Sequence, residues 1–242
     1  DGSSRDETRL GFKMPWKNAV VLALDAATGA VRWKAKRGES RVGHVTPIFV
    51  DGGAQLVSAG GDRVQGFDAR TGKRIWSIYS RGEGVTPSPV VGDGLLFTSS
   101  GFEAPTIRAI RLGGAGDVTD SHIAWGQKKG VPALASPLYI HPHLYTISRG
   151  NVLHCIEGST GKIVWVQRLT GVHSASPVLV DGRIYILSED GVTLVLRPGP
   201  QYNEVARNSL GEKFLASMAV SQGHFYIRSS QHLYSIGASS ER

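Results

Sequence analysis

One cysteine and two methionines occur in 242 residues, and the scarcity of thiols removes whole classes of chemistry. Cys155 has no second thiol with which to form an intramolecular disulfide or a thiolate metal site. Its setting, Val152-Leu-His-Cys-Ile156, reads as a buried and inert position. Low cysteine use fits an oxidising or a reducing compartment equally. No run of 18 apolar residues is present, so a membrane-spanning helix is not expected. Apolar residues nowhere keep a helical period for ten positions. A Gly-x-Ser-x-Gly nucleophile elbow, a Walker phosphate loop and a dinucleotide fingerprint are all missing. The opening residues, Asp1-Gly-Ser-Ser-Arg5, have none of the features of a signal peptide and read as an internal point of a longer chain.

Charge is unbalanced but not concentrated. Lys and Arg number 27 against 20 Asp and Glu, a net +7 that favours encounters with anionic partners. The densest groups are Arg32-Trp-Lys-Ala-Lys-Arg37 and Lys128-Lys129, with no basic stripe interleaved with aromatics. This pattern reads as solvated surface, and a nucleic-acid partner is not expected.

What the chain has in quantity is turn chemistry and repetition. The 31 Gly and 11 Pro suit many short strands joined by tight turns. Trp33, Trp76, Trp125 and Trp165 recur at intervals of 43, 49 and 40 residues. Three of them close one phrase: Asp25-Ala-Ala-Thr28-Gly29 before Trp33, Asp68-Ala-Arg-Thr71-Gly72 before Trp76, and Glu157-Gly-Ser-Thr160-Gly161 before Trp165. Asp at the start of such a phrase can bond the backbone downstream, and Gly closes the reversal. Each unit holds four alternating runs. The first carries Thr/Ser-Pro, as at Ser136-Pro137 and Ser176-Pro177, with Ser217-Met218 as a variant, and the hydroxyls are expected to bond backbone in the inner strands. Two copies have drifted: Arg111 to Asp117 is an expanded turn before Trp125, and Arg197-Pro-Gly-Pro200 leads to a run without Trp. A period of 40 to 50 residues in β-rich units points to a propeller. The expected fold is an all-β propeller of four-stranded antiparallel blades forming a single domain over residues 1–242.

The phrase Ala23-Leu-Asp25-Ala-Ala-Thr28-Gly29-Ala-Val-Arg-Trp33 resembles the tryptophan-docking repeat of the pyrroloquinoline-quinone-like family. Residues 66–76 and 155–165 resemble it too, with Gly66 or Cys155 for Ala and Glu157 for Asp. The resemblance implies that Trp33, Trp76, Trp125 and Trp165, with Gly29, Gly72 and Gly161, dock one blade against the next. It further implies about five blades' worth of a larger, seven- or eight-bladed propeller, because the chain starts with a third and fourth strand and ends with a first, second and third.

Quinone-dependent dehydrogenases of this family bind a Ca²⁺-held cofactor, and many alcohol dehydrogenases among them have a cysteine pair that this chain lacks. No carboxylate cluster has the spacing of a cation site: Asp62, Asp93, Asp117, Asp181 and Asp190 mostly flank Gly and read as turn residues, and His141-Pro-His143 reads as a solvated loop. No catalytic residue, metal or cofactor is therefore assigned, and the chain reads more as a non-enzyme than as an enzyme. Propeller topology places the loops entering the innermost strands, and those joining second to third strands, on one face. That maps Arg41, His44, Arg81, Glu83, Lys128, Lys129, His173 and Lys213 there as candidate binding residues, a cationic set suited to an anionic ligand or an acidic peptide. The leading functional expectation is a non-catalytic scaffold that binds protein or peptide partners. Resemblance to bacterial family members without a catalytic domain implies a periplasmic or envelope location. Two alternatives are part of a quinoprotein oxidoreductase with its catalytic residues upstream, and a binder of anionic ligands or polysaccharides.

Overall fold

The structure, a computed structural model, describes residues 19–38, 47–60, 63–79, 86–100 and 105–237. It contains two compact units, Asp1–Lys129 and Gly130–Arg242. Strands follow one another as antiparallel meanders in chain order, with one short parallel addition to the second sheet.

In the first unit, sheet one pairs Val20–Leu24 with Val31–Lys36. Sheet two contains Ile48–Val50, Gln55–Gly60, Arg63–Asp68 and Arg74–Tyr79. Sheet three contains Val90–Gly92, Leu95–Ser100, Thr106–Arg111 and Ile123–Gln127. In the second unit, sheet four contains Leu138–Ile140, His143–Ser148, Val152–Glu157 and Ile163–Arg168. Sheet five contains Val178–Val180, Arg183–Leu187, Val192–Leu196 and Glu204–Ser209. Sheet six has Ala219–Ser221, His224–Arg228 and Leu233–Gly237. The middle strands of sheets two to five are largely buried on both faces, the pattern of strands covered on both sides: Leu144, Tyr145 and Ile147 are buried beside Leu153, Cys155 and Ile156, with Thr146 and His154 buried among them. In sheets two, three and five the turns between first and second strands contain Asp-Gly, and in sheet five φ is positive at both Asp181 (46°) and Gly182 (70°), the pairing that suits the twist of a hairpin.

The repeated phrase folds the same way wherever it occurs. Asp25 Oδ1 accepts from the Thr28 amide (2.9 Å) and hydroxyl (2.8 Å), and Asp68 Oδ1 accepts from those of Thr71 (both 2.7 Å). The Gly29 and Gly72 amides close the turn onto the Asp25 and Asp68 carbonyls, each at 2.8 Å. At the third copy, Thr160 Oγ1 donates to Glu157 Oε2 and the Gly161 amide to the Glu157 carbonyl, so the longer acid preserves the turn. These bonds favour the charged carboxylate. The Arg32 guanidinium first, then Thr28, hold Asp25 down at about 2, and Thr71 holds Asp68 below the usual range. Because the folded values are depressed, this stabilisation is full above about pH 4, the ordinary carboxylate value, and is lost as pH falls toward 2. Replacing Asp25 and Asp68 together with Asn is expected to flatten the decline in melting temperature between pH 4 and pH 2. An unchanged slope would show that the turns carry no linkage.

Among the described residues each tryptophan lies across from a small residue: Trp33 from Ala23, Trp76 from Gly66, Trp125 from Ala109 and Trp165 from Cys155. The reason is volume. A Cβ on Gly66 would stand 2.2 Å from Trp76 Nε1. In sheet five the sizes are exchanged, with Val195 opposite Ala206, which is how that strand does without an indole.

The indole N–H groups find different acceptors. Trp33 Nε1 donates to the Ala69 carbonyl of sheet two (3.0 Å), where its ring covers Gly72. Trp165 Nε1 donates to the Gly199 carbonyl (3.0 Å) in the turn that leads to the last strand of sheet five. The Gly199 amide in turn donates to Tyr145 Oη (2.8 Å), so the drifted Arg197-Pro-Gly-Pro200 turn still receives the tryptophan of the preceding sheet. The Cys155 thiol donates weakly to the same carbonyl and is fully buried, which pushes its pKa up to about 11, a value that disfavours the reactive thiolate. Trp76 instead bonds Gln55 Oε1 of its own sheet (2.9 Å) while packing with Leu96, Ile110 and Val118.

The expanded turn is more than a turn. Gly116–Asp117 adds a parallel strand to Arg74–Tyr79, Thr119 Oγ1 accepts the Tyr79 amide (2.8 Å), and Thr119–His122 forms one helical turn. The four antiparallel strands of sheet two thus gain a short fifth strand, parallel to the last of them. Sequence pattern does not reveal a two-residue strand, because so short a run has no period. Its effect is to cover the outer edge of sheet two, where backbone groups would otherwise be open to pairing.

Serines of the first strands connect successive sheets in the second unit. Ser176 Oγ accepts the Ser136 amide and Ser217 Oγ accepts the Ser176 amide, both at 2.9 Å. The hydroxyls therefore bond backbone as expected, but in the neighbouring sheet. Replacing Ser176 and Ser217 with Ala is expected to cost about 0.5–1.5 kcal/mol each in urea denaturation, the net worth of one hydrogen bond. A loss near zero would mean that water replaces the hydroxyl.

Candidate functional site

The candidate residues separate when placed on the structure. Arg41, His44, Arg81 and Glu83 lie outside the described residues. Lys128 and Lys129 are exposed at the end of the first unit. His173 and Lys213 belong to the second unit, in the connections that enter the first strands of sheets five and six. They differ in exposure. Lys213 is open to solvent, whereas His173 is 5 % exposed and both its ring nitrogens are shielded without a hydrogen-bond partner. Burial holds the His173 imidazole below its ordinary pKa, against the opposing pull of Asp190. A buried neutral imidazole makes a poor first contact for a ligand.

Around Lys213 the connections interlock through backbone. The Glu189 amide donates to the Val172 carbonyl (2.7 Å), the Phe214 amide to the Glu189 carbonyl (2.9 Å), and the Ser230 amide to the Lys213 carbonyl (2.8 Å). Ser174 Oγ donates to Glu189 Oε1. This ties a second-to-third-strand loop between two entering connections and fixes three carboxylates on one rim.

Two cavities open here. One of about 580 Å³ is lined by Glu189, Asp190, Glu212 and Lys213, together with Val172 and Ser230. Its neighbour, about 400 Å³, is lined by Phe214, Leu215, Ala216 and Arg228, and shares Glu189, Lys213 and Ser230. Phe214 is buried, while Leu215 is 70 % exposed at the rim. Glu212 Oε1 accepts from His232 Nδ1 (2.7 Å) and Tyr234 Oη (2.6 Å). The adjacent Ser229 hydroxyl, then Tyr234 and His232, hold its carboxyl below the usual range. The Ser229 hydroxyl also stands 3.1 Å from the His232 carbonyl, and Glu212 Oε2 is shielded from solvent.

The sequence thus points to Lys213 and not to its surroundings. Asp190 reads as a turn residue beside Gly191, and Glu189 and Glu212 lie 23 positions apart without a motif. Only the stacking of adjacent sheets brings them together. Among the described residues, no group of three or more His, Cys, Asp or Glu side chains stands close enough to hold a metal ion. No described helix is long and apolar enough to cross a membrane.

Meandering four-stranded sheets, a recurring Asp/Glu-x-x-Thr-Gly turn and indoles bonded to the next sheet define a β-propeller of pyrroloquinoline-quinone-like repeats. The family model described as outer membrane protein assembly factor BamB matches residues 16–127 and 115–197, and the chain belongs to that family. Outer membrane protein assembly factor BamB of Nitrosomonas eutropha is 24 % identical over 219 residues, covering 84 % of this chain and 50 % of the relative. The chain therefore spans half the length of that relative. The crystal structure of BamB from Moraxella catarrhalis superposes with a TM-score of 0.68 at 17 % identity, covering 89 % of this chain and 66 % of the other. The Cps50 (Swd1) β-propeller domain of Myceliophteria thermophila gives 0.63 at 15 % identity, covering 92 % and 78 %. Such identities establish shared fold alone.

Proposed function

We propose that this chain is part of a non-catalytic scaffold that holds protein partners during outer membrane protein assembly, in the periplasm or at the envelope. Membership in the BamB family carries this reading, since the family is described by that assembly role. Loops on a framework of packed sheets suit such a role, because strands position them and their sequences vary without cost to the core. Trp33 and Trp165 act as docking residues between successive sheets, supported by their bonds to Ala69 and Gly199.

Cross-linking of the complete protein in its own cells provides the test. A photoreactive side chain at Leu215 or Lys128 is expected to give adducts with other components of outer membrane protein assembly, identified by mass spectrometry. Adducts confined to unrelated envelope proteins would contradict the scaffold reading.

A further inference from the structure

The two adjoining cavities share walls, yet their chemistry differs: the smaller carries Lys213 and Arg228 against Glu189, while the larger departs from the cationic surface that charge counting suggests. The larger one is lined by three carboxylates and a single ammonium, Glu189, Asp190 and Glu212 against Lys213. On a chain with net charge +7, this is a local reversal of sign, and it draws cations while repelling anions. Beside it, Phe214 and Leu215 present apolar surface to the smaller cavity. A free metal ion or small amine leaves that apolar half unfilled, whereas a peptide fills both halves at once.

We propose that this double cavity binds an extended partner segment carrying an apolar residue next to Arg or Lys, the apolar side chain against Phe214 and Leu215 and the cation among Glu189, Asp190 and Glu212. The proposal rests on the scaffold reading and names the chemistry of its partner. Arg is favoured over Lys because its planar fork pairs with carboxylates through two hydrogen bonds. Lys213, in the same lining, repels the incoming cation and so weakens its binding.

The complete protein can be titrated into fluorescein-labelled Gly-Ser-Leu-Arg-Ser-Gly and Gly-Ser-Leu-Glu-Ser-Gly, with fluorescence anisotropy as the readout. Saturable binding of the Leu-Arg peptide, with the Leu-Glu peptide at least about tenfold weaker, is the expected result. The double variant Asp190→Asn, Glu212→Gln is expected to weaken Leu-Arg binding about tenfold. Lys213→Ala is expected to tighten it severalfold, an outcome that misfolding does not mimic. Equal or preferential binding of the Leu-Glu peptide, no saturation in the millimolar range, or no gain from Lys213→Ala would overturn the proposal. Adducts with assembly components in cells alongside failed peptide binding would reject the pocket and leave the scaffold reading standing. Peptide binding without those adducts would do the reverse.

Discussion

Trp76→Ala is expected to destabilise the chain by about 3–5 kcal/mol, the range for emptying a fully packed aromatic site. Trp76 is 1 % exposed and packs with Val57, Ile78, Leu96, Ile110 and Val118 from two adjacent sheets. Removing the indole opens a cavity at a junction and leaves Gln55 Oε1 without its donor. The strand Gly116–Asp117, which pairs at Trp76 and Ser77, loses its support as well. Where repeated sheets pack in series, stability resides largely in the junctions, so damage at one of them separates neighbours that would otherwise unfold together. Trp76→Phe retains most of the volume and is expected to cost less than half as much. Urea denaturation followed by circular dichroism measures both. A loss below about 1 kcal/mol for Trp76→Ala would show that the junction repacks freely.

A second large effect is expected at Gly72, for two reasons that add. Its φ is +72°, a conformation in which a β-branched residue is strained by about 1–3 kcal/mol. An added Cβ would also stand 2.6 Å from the Trp33 ring, and overpacking of that kind costs about 1–3 kcal/mol more. Gly72→Val is therefore expected to lower stability by about 2–6 kcal/mol. Gly29 makes the same turn with φ +72° but has open space around its missing Cβ, so Gly29→Val is expected to show the backbone cost alone. Equal losses at the two positions would mean that the Trp33 contact contributes nothing.

Most of the fold is legible in the sequence because its period is written in residues with strong local preferences. Asp25, Thr28 and Gly29 make one turn that returns at residues 68–72 and 157–161, each time followed by a tryptophan across from a small residue. Strand pairing follows from those turns: Ala23 meets Trp33 and Cys155 meets Trp165 at the same step of the hairpin. What escapes is structure made between repeats. Nothing local marks Gly116–Asp117 as a strand, since its partner lies 40 residues back. Nor does any motif bring Glu189 to Glu212. Topology selects the loops around Lys213, but it does not predict the sign of their neighbours, so a surface expected to be cationic carries three carboxylates there. His173 shows the other limit, because a loop position on the mapped face is not necessarily exposed.

Scaffold and enzyme differ most directly in what a cell loses without the protein. Deleting the complete gene and quantifying the outer membrane fraction by mass spectrometry measures that loss. The account predicts a broad fall in outer membrane proteins, restored by the wild-type protein and not by one with Trp76→Ala. Unchanged outer membrane composition, together with loss of a quinone-dependent dye-reducing activity, would contradict it.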